Sequence, residues 1–216
     1  MHNKKNSEVI TKHNYPEFFE ILEKSLAGLK IPKITVGKSR VCFCAKASHL
    51  SYSIFFNRVF WGKLNNQERA AVALHETGHL NSPVHRFHIY PILIISLIMI
   101  PYFVIYLYMP HFIPVNVDFF FYFNILLFML FIYVRFFLIG ILCVVSIWDE
   151  YFADDFASQR IDKKYLISAL KKLPREKTPL YRVIYYSLVW PFETHPSIRE
   201  RIVRLLKKNS NTTEDT

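Results

Sequence analysis

The stretch His75–Phe103, HETGHLNSPVHRFHIYPILIISLIMIPYF, places a metal-binding motif shortly before a long apolar segment. Its first five residues follow the pattern HExxH. On a helix, His75 and His79 point the same way, so two neutral imidazoles can bind one cation. A catalytic zinc site needs a third protein ligand and an open position. Because the apolar segment begins about ten residues after His79, the source of that third ligand decides how the chain must fold.

The HExxH motif belongs to a predicted helix with a clear start. Asn65 followed three residues later by Glu68 has the spacing of a capping box. The segment after it, NQERAAVALHETGHL, is rich in good helix formers. Small and apolar residues along it predict close burial: Ala71, Val72, Leu74 and Gly78.

Residues 89–148 form an apolar block that predicts a transmembrane hairpin. Its spans are residues 89–109, about 31 Å long as a helix, and residues 119–145. The formal charges between Ile89 and Trp148 are Asp118 and Arg135. Arg135 is costly if it faces lipid, so we expect it to snorkel or to lie near the cytoplasmic boundary, with the remainder of the helix buried in protein. The alternative is a buried helical hairpin in a soluble protein.

The charge distribution predicts the orientation of this hairpin. Net charge is +10, yet the block contains one of the 27 Lys and Arg residues, and the Pro-marked turn 110–117 has none. Positive residues collect on the cytoplasmic side of membranes. We therefore expect a multi-pass protein of the cell membrane, with both termini and the active site cytoplasmic. No nucleic-acid module is recognisable, so we predict lipid rather than nucleic acid as the partner of the basic residues.

A hairpin returns the chain to the side of the membrane that it left. A residue just after the hairpin can therefore supply the third metal ligand. The segment WDEYFADDFASQRI, residues 148–161, is helical in pattern. Glu150 is the predicted third ligand. Asp154 lies one turn later, where it can hydrogen-bond the outer nitrogen of a ligand histidine. Ala153 and Ala157 offer small surfaces on which the HExxH helix can pack.

These residues suit one zinc ion per chain in a hydrolytic site. Three protein ligands leave a position for water, whose pKa falls to about 7, and Glu76 can take its proton and pass it to the leaving amine. His85 is an alternative third ligand in the pattern HExxHxxGxxH. Ser82 and Pro83 occupy the positions of the required turn, however, so we expect His85 and His88 to lie at the membrane edge.

HETGH, EYFAD and THPSIRERI (residues 194–202) together resemble the integral-membrane zinc metallopeptidases that include HtpX and the CAAX prenyl endopeptidases, which are gluzincins. The resemblance covers about residues 15–205. It implies His75, His79 and Glu150 as ligands and Glu76 as catalytic, and it implies roles in substrate or transition-state binding for His195 and Arg201. Without the resemblance, Thr194 or His195 caps a helix and Arg201 is a solvated residue.

The chain departs from these relatives in two ways. HtpX-like members usually carry two further spans before HExxH, and the first 88 residues here contain none. The chain is also much smaller than the prenyl endopeptidases, so prenylated substrates are not implied.

The expected fold is α+β: a mostly helical gluzincin-type domain with a small antiparallel sheet. Residues 1–88 and 149–216 build the catalytic domain around the hairpin. Helical spacing predicts a helix over residues 15–29, and three segments predict strands: IPKITVG, SRVCFCAKA and YSIFFNRVFW. The last, residues 52–61, is a candidate edge strand for an extended peptide.

The sequence therefore predicts a membrane-anchored zinc endopeptidase whose substrates are membrane or membrane-proximal polypeptides. Two alternatives stay open: a signalling metallopeptidase of the antibiotic-sensor type, and a non-catalytic zinc-binding membrane scaffold. No oligomeric state is predicted.

Overall fold

The structure is a computed structural model that describes residues 7–38, 44–83, 97, 117–173 and 196–207. These residues form a mostly helical α+β fold with one four-stranded sheet, as predicted. The elements in chain order are β1 (Ser7–Ile10), α1 (Pro16–Ser25), β2 (Lys33–Gly37), β3 (Ala45–Ser48), β4 (Ser53–Asn57), α2 (Arg58–Lys63), α3 (Asn66–Asn81), α4 (Val117–Ser158), α5 (Lys163–Lys171) and α6 (Ile198–Lys207).

The sheet is mixed, so the prediction of an antiparallel sheet was wrong. Its strand order is β1-β2-β4-β3. The pairs β1–β2 and β3–β4 are antiparallel, whereas β2 and β4 run parallel with Lys33 opposite Ser53. The β3–β4 hairpin lies with β3 outermost, so β4 returns beside β2 in the same direction. Because β4 pairs on both sides, it is not the edge strand predicted for residues 52–61. In the described part of the sheet, β3 is an edge strand.

The predicted strand over residues 52–61 is also too long. It ends at Asn57, whose side-chain oxygen accepts a hydrogen bond from the backbone N–H of Val59 at 2.9 Å. This capping bond favours a helix start over a continued strand. Residues Arg58–Lys63 therefore form α2, which turns Phe60 and Trp61 into the core.

Helix α3 is the central element of the fold, and its predicted capping box is confirmed. Asn65 Oδ1 accepts from the N–H of Glu68, and Glu68 Oε2 accepts from the N–H of Asn65, both at 2.9 Å. Beyond this cap, α3 packs against α1, β3, β4, α4 and α5. A helix with neighbours on several sides must be apolar around most of its surface. The run Ala70–Leu74 is accordingly buried without a break.

The buried Glu68 also joins α3 to α5. Its carboxylate accepts from Ser168 Oγ at 2.6 Å and from Lys172 Nζ at 2.6 Å. Burial raises the pKa of Glu68, but the bonds from Lys172 and Ser168 outweigh it, and the pKa lies below its usual value. The charged form is therefore the one that the fold stabilises, and it ties the start of α3 to a helix about 100 residues later.

Helix α4 is continuous over 42 residues, about 63 Å. The second predicted span and Glu150 both lie on this one helix. Within the described ranges, no helix has the length and apolar character required to traverse a bilayer. The structure thus gives no support to the predicted hairpin. Apart from Leu97, the first predicted span lies outside the described residues, as does the side chain of Arg135.

Helices α3 and α4 cross in very close contact, and the predicted burial of Gly78 is confirmed. A Cβ added to Gly78 would lie 2.7 Å from the Cα of Ala153 and 3.2 Å from its Cβ. Real Cβ atoms do not approach backbone that closely, so only glycine fits at this crossing. Ala153 and Ala157 are both fully buried, in agreement with their predicted role as small packing surfaces.

We expect Gly78→Ala to lower the free energy of unfolding by about 1–3 kcal/mol, because the added methyl group must push α4 away from α3. Gly62→Ala is the matched control. Gly62 lies in α2 with nothing within 4 Å of an added Cβ. Alanine should be neutral there or stabilising by up to about 1 kcal/mol, because glycine is a poor helix former. Urea unfolding of the two variants measures both effects. Equal effects would contradict the close crossing.

Candidate metal centre

The two histidines of the HExxH motif face each other across a gap that fits a metal ion. His75 Nε2 and His79 Nε2 are 3.2 Å apart. Two nitrogens bound tetrahedrally to one zinc at 2.0–2.1 Å would be separated by about 3.3 Å. Both side chains are largely buried. The i, i+4 spacing on α3 thus places two imidazole nitrogens where one cation can bind both.

Glu150 of α4 completes a set of three possible ligands. Its Oε2 lies 3.5 Å from His75 Nε2, and its Oε1 lies 3.7 Å from His79 Nε2. One donor atom from each of the three residues falls within 4.8 Å of the others. Two imidazoles and a carboxylate are a donor set that zinc accepts. The structure therefore brings together the three residues that the sequence predicted as ligands, in an arrangement that fits a metal ion.

Two aspartates of α4 hold the outer nitrogens of these histidines. Asp154 Oδ1 is 3.0 Å from His75 Nδ1, and Asp149 Oδ2 is 2.7 Å from His79 Nδ1. A carboxylate on Nδ1 fixes the ring orientation and the tautomer, which leaves Nε2 directed at the metal position. The helical spacing of the sequence predicts the contact of Asp154 with a ligand histidine, but not that of Asp149. The available signal was the second histidine itself, since each ligand ring requires its own acceptor.

The charge around His79 favours a cation at the site. Burial lowers the pKa of His79, but the hydrogen bond to Asp149 and the charges of Glu76 and Glu150 raise it to about 9. A site that binds a proton this strongly on an imidazole offers the same negative potential to a metal ion. The residues therefore match a divalent cation in charge as well as in geometry.

Arg201 of α6 is buried against two of these carboxylates. Its Nε and Nη2 donate to Asp154 at 2.9 and 2.6 Å, and its Nη1 lies 2.9 Å from Glu150 Oε2. Burial raises the pKa of Asp154, yet the bonds from His75 and Arg201 bring it below its usual value. Arg201 is thus not the solvated residue considered above. It links α6 to the residues around the candidate metal position.

The remaining predicted site residues divide into two groups. Glu76 is buried and borders a cavity beside His75, Glu150 and Arg201. His195 lies outside the described residues, as do His85 and His88. The structure does not support the alternative in which Thr194 or His195 caps the last helix.

Ser197 caps α6 instead. Ser197 Oγ accepts from Glu200 N at 3.2 Å and Glu200 Oε2 accepts from Ser197 N at 2.8 Å. These two reciprocal bonds make a capping box that satisfies donors at the helix start. The helix consequently begins at Ile198, later than Thr194 or His195 as cap would have placed it.

A helix that carries HExxH, joined by a glutamate from a later helix, is the metal-binding arrangement of a class of metallopeptidases. Residues 44–209 match Peptidase family M48, and they make up more than half of the chain. The chain therefore belongs to peptidase family M48, the family of HtpX and the CAAX proteases, as the three motifs indicated. No curated protein matches the sequence.

We expect Asp149→Asn to weaken zinc binding about 10–100-fold, because the outer partner of a ligand histidine is lost while the ligand remains. Asp155→Asn is the matched control on the same helix. The Asp155 carboxylate binds Arg204 at 2.6 and 2.8 Å, so its change should leave zinc affinity unaltered. Competition with a chromophoric chelator measures both affinities. An unchanged affinity in Asp149→Asn would refute the role assigned to the 2.7 Å contact.

The raised pKa of His79 predicts how stability depends on pH in the metal-free protein. In the unfolded chain this pKa is about 6.5. The folded state therefore gains stability from the bound proton below about pH 6.5, and this gain disappears as the pH rises through about 9. Urea unfolding in a chelator should show a declining free energy of unfolding across that interval. Asp149→Asn should flatten the decline. A flat profile in the wild type would contradict the prediction.

Proposed function

We propose that this protein is a zinc-dependent endopeptidase whose centre is formed by His75, His79 and Glu150. The observation that carries the proposal is the convergence of these three donor atoms from two helices, within 4.8 Å of one another. Membership of peptidase family M48 supports peptide-bond hydrolysis as the reaction. The proposed ligand is one Zn²⁺ per chain, for which the imidazole and carboxylate donors are suited.

A bound zinc ion would supply Lewis acidity, which polarises a carbonyl and makes a water molecule acidic near neutral pH. Glu76, next to His75 in sequence and buried at the cavity wall, accepts the proton of the attacking water. It then donates that proton to the nitrogen of the departing amine. Asp154 and Asp149 keep the two imidazole rings oriented throughout. His195 stays a proposed contact to the substrate or transition state.

Arg201 acts in this proposal as a positioning residue. Its two bonds to Asp154 and its contact with Glu150 hold a carboxylate ligand and a histidine partner in one network. Among the described residues, four carboxylates lie in the centre or border it: Glu76, Asp149, Glu150 and Asp154. Arg201 is bonded to two of these, Asp154 and Glu150. The remaining excess of negative charge supports binding of a divalent cation.

We further propose that the protein works at a cell membrane, with its termini and active site on the cytoplasmic side, and acts on membrane or membrane-proximal polypeptides. The amino-terminal part of α4 supports this, because it exposes many large apolar side chains, among them Tyr122, Leu126, Phe128, Met129, Tyr133 and Phe137. Exposed apolar surface of this extent marks an interaction surface. Resistance of the protein to extraction from membranes by alkaline carbonate, with release by detergent, tests the proposal.

We expect Glu76→Gln and Glu150→Gln to fail in different ways. Glu76→Gln should keep one zinc per chain and lose about 10²–10⁴-fold in the rate of cleavage, since the proton acceptor is gone. Glu150→Gln should lose tight zinc binding, because a ligand charge is removed. Metal content is measured by atomic emission, and cleavage is measured on casein and on an unfolded membrane protein.

The pair of variants also tests the non-catalytic alternative. A zinc-binding scaffold predicts that wild type and Glu76→Gln bind zinc alike and that neither cleaves these substrates. Full activity in Glu76→Gln would show that another group takes the proton. Tight zinc in Glu150→Gln would overturn Glu150 as the third ligand.

A further inference from the structure

Residues 24–67, which include three of the four strands, form a strongly basic part of the molecule. This stretch contains eight Lys and Arg residues and no Asp or Glu, whereas both signs of charge occur before and after it. Within the described part of the chain its cations are all exposed: Lys24, Lys30, Lys33, Lys38, Lys46, Arg58 and Lys63. A surface with this charge favours an anionic partner.

Two of these cations lie on the face of the sheet that points away from the core. Lys33 of β2 is opposite Ser53, and Lys46 of β3 is opposite Phe55, two residues further along β4. Because every second side chain of a strand points the same way, Lys33 and Lys46 share one face. Ile54, between Ser53 and Phe55, points to the opposite face and is fully buried in the core.

The turn that joins β3 to β4, residues 48–53, presents an apolar side chain beside these lysines. We call this turn the hairpin tip. Leu50 in its middle is fully exposed. The tip is nevertheless held by hydroxyl contacts, since Ser51 Oγ lies 3.0 Å from Ser48 Oγ and 2.6 Å from Ser53 Oγ. Leu50 is thus held outward by a defined turn.

Tyr52 fixes the tip to the rest of the domain. Its φ of +43° is a left-handed conformation that is uncommon for residues other than glycine. Its hydroxyl donates to the carbonyl oxygen of Lys30 at 3.1 Å, and the Lys30 ammonium lies 5.1 Å from the centre of the Tyr52 ring. Backbone strain of this kind persists only where surrounding contacts stabilise it.

The hairpin tip lies at the end of the domain where α3 ends. Asn66 Nδ2 donates to Glu17 Oε2 at 2.7 Å, close to the starts of α3 and α1, and these two helices pack together. They therefore run in the same general direction. Because Lys30, which contacts the tip, follows the end of α1, the tip lies toward the end of α3 as well.

The exposed apolar part of α4 begins at this same end. His79, in the last turn of α3, contacts Asp149 of α4 at 2.7 Å. Trp148, the residue before Asp149, is largely exposed, as are many apolar residues on its amino-terminal side. Tryptophan is enriched where membrane proteins meet the headgroup region. The hairpin tip and the exposed apolar part of α4 thus lie toward one side of the domain.

We propose that the hairpin tip binds the surface of an anionic membrane, with Leu50 in the headgroup region and Lys33 and Lys46 at lipid phosphates. Apolar burial combined with attraction of cations to anionic lipids is how surface-bound segments hold a membrane. An aliphatic side chain offers a nucleic acid neither a hydrogen bond nor a stacking surface, so lipid is favoured. The inference rests on the proposed membrane location and adds a charge-selective contact to the apolar contact of α4.

Photo-crosslinking from the full-length protein in lipid nanodiscs tests this inference. p-Benzoylphenylalanine replaces Leu50, and lipid adducts are quantified by mass spectrometry. We expect about fivefold or more adduct in discs that contain phosphatidylserine than in discs of phosphatidylcholine alone, because the cations add attraction to the anionic surface. High salt should remove most of this difference by screening.

The same probe in place of Tyr133, which is exposed on α4, separates the two possible failures. Lipid adducts at position 133 without adducts at position 50 would overturn the inference alone. The absence of lipid adducts at both positions would count against the proposed membrane location and the inference together. Equal yields at position 50 in both kinds of disc would refute recognition of anionic lipid.

A pair of charge variants identifies the cations responsible. Lys33→Gln combined with Lys46→Gln should lower the adduct yield at position 50 about tenfold in discs with phosphatidylserine. Lys164→Gln combined with Lys171→Gln is the matched control, since both lysines are exposed on α5, which is bonded to the start of α3 at the other end of the domain. Thermal unfolding verifies that each variant is folded. Equal yields in the two double variants would contradict the proposal.

Discussion

The contact between Gly78 and Ala153 is the constraint on which the candidate centre depends. It allows α3 and α4 to cross with almost no side chain between their backbones. On α3, Gly78 lies between the two histidines, one residue before His79. On α4, Ala153 lies in the turn that carries Glu150 and Asp154. Two helices separated by ordinary side chains pack 8–10 Å apart, and larger side chains here would move the carboxylates away from the imidazoles. The absence of a side chain at Gly78 thus sets how closely the histidines of α3 approach the carboxylates of α4.

Buried charged groups then fix the positions of α5 and α6, which the crossing of α3 and α4 does not hold. Glu68 connects the beginning of α3 to α5 through Ser168 and Lys172. Arg201 connects α6 to Asp154 and Glu150. Breaking a buried pair leaves an uncompensated charge, which is strongly destabilising. The segments before and after residues 84–116 are in this way joined by specific polar contacts as well as by apolar packing.

Much of this site was predictable because its signals are local. The HExxH spacing, the Asn65 capping box and the four-residue step from Glu150 to Asp154 all follow from the period of one helix. Non-local features were not predictable in the same way. The parallel pairing of β2 with β4 depends on where the β3–β4 hairpin folds, and the sequence pattern of a strand does not state its neighbours. The capping by Asn57 was overlooked because the surrounding aromatic residues favour a strand.

The partners of the buried charged residues also could not be predicted from local sequence patterns, because they are distant along the chain. Asp149 was missed as the acceptor for His79 because the pairing joins residues 70 positions apart. Arg201 was expected near the substrate, yet its contacts to α4 depend on how α6 docks. The sequence changes from apolar to acidic residues near Trp148, and α4 continues through this position. Hydropathy changes there, but helix propensity does not, and the backbone follows the latter.

Because α4 is one continuous helix, a rotation of its amino-terminal part would also move Glu150, which lies near its carboxyl-terminal end. Glu150 lies on α4 with about 33 residues of this helix on its amino-terminal side. A twist of this helix by about 10° about its axis would shift a carboxylate that lies about 6 Å from the axis by about 1 Å. Metal–ligand distances tolerate only about 0.2 Å. A torque applied to the amino-terminal end of α4 would therefore change the distances between Glu150 and the two imidazole rings.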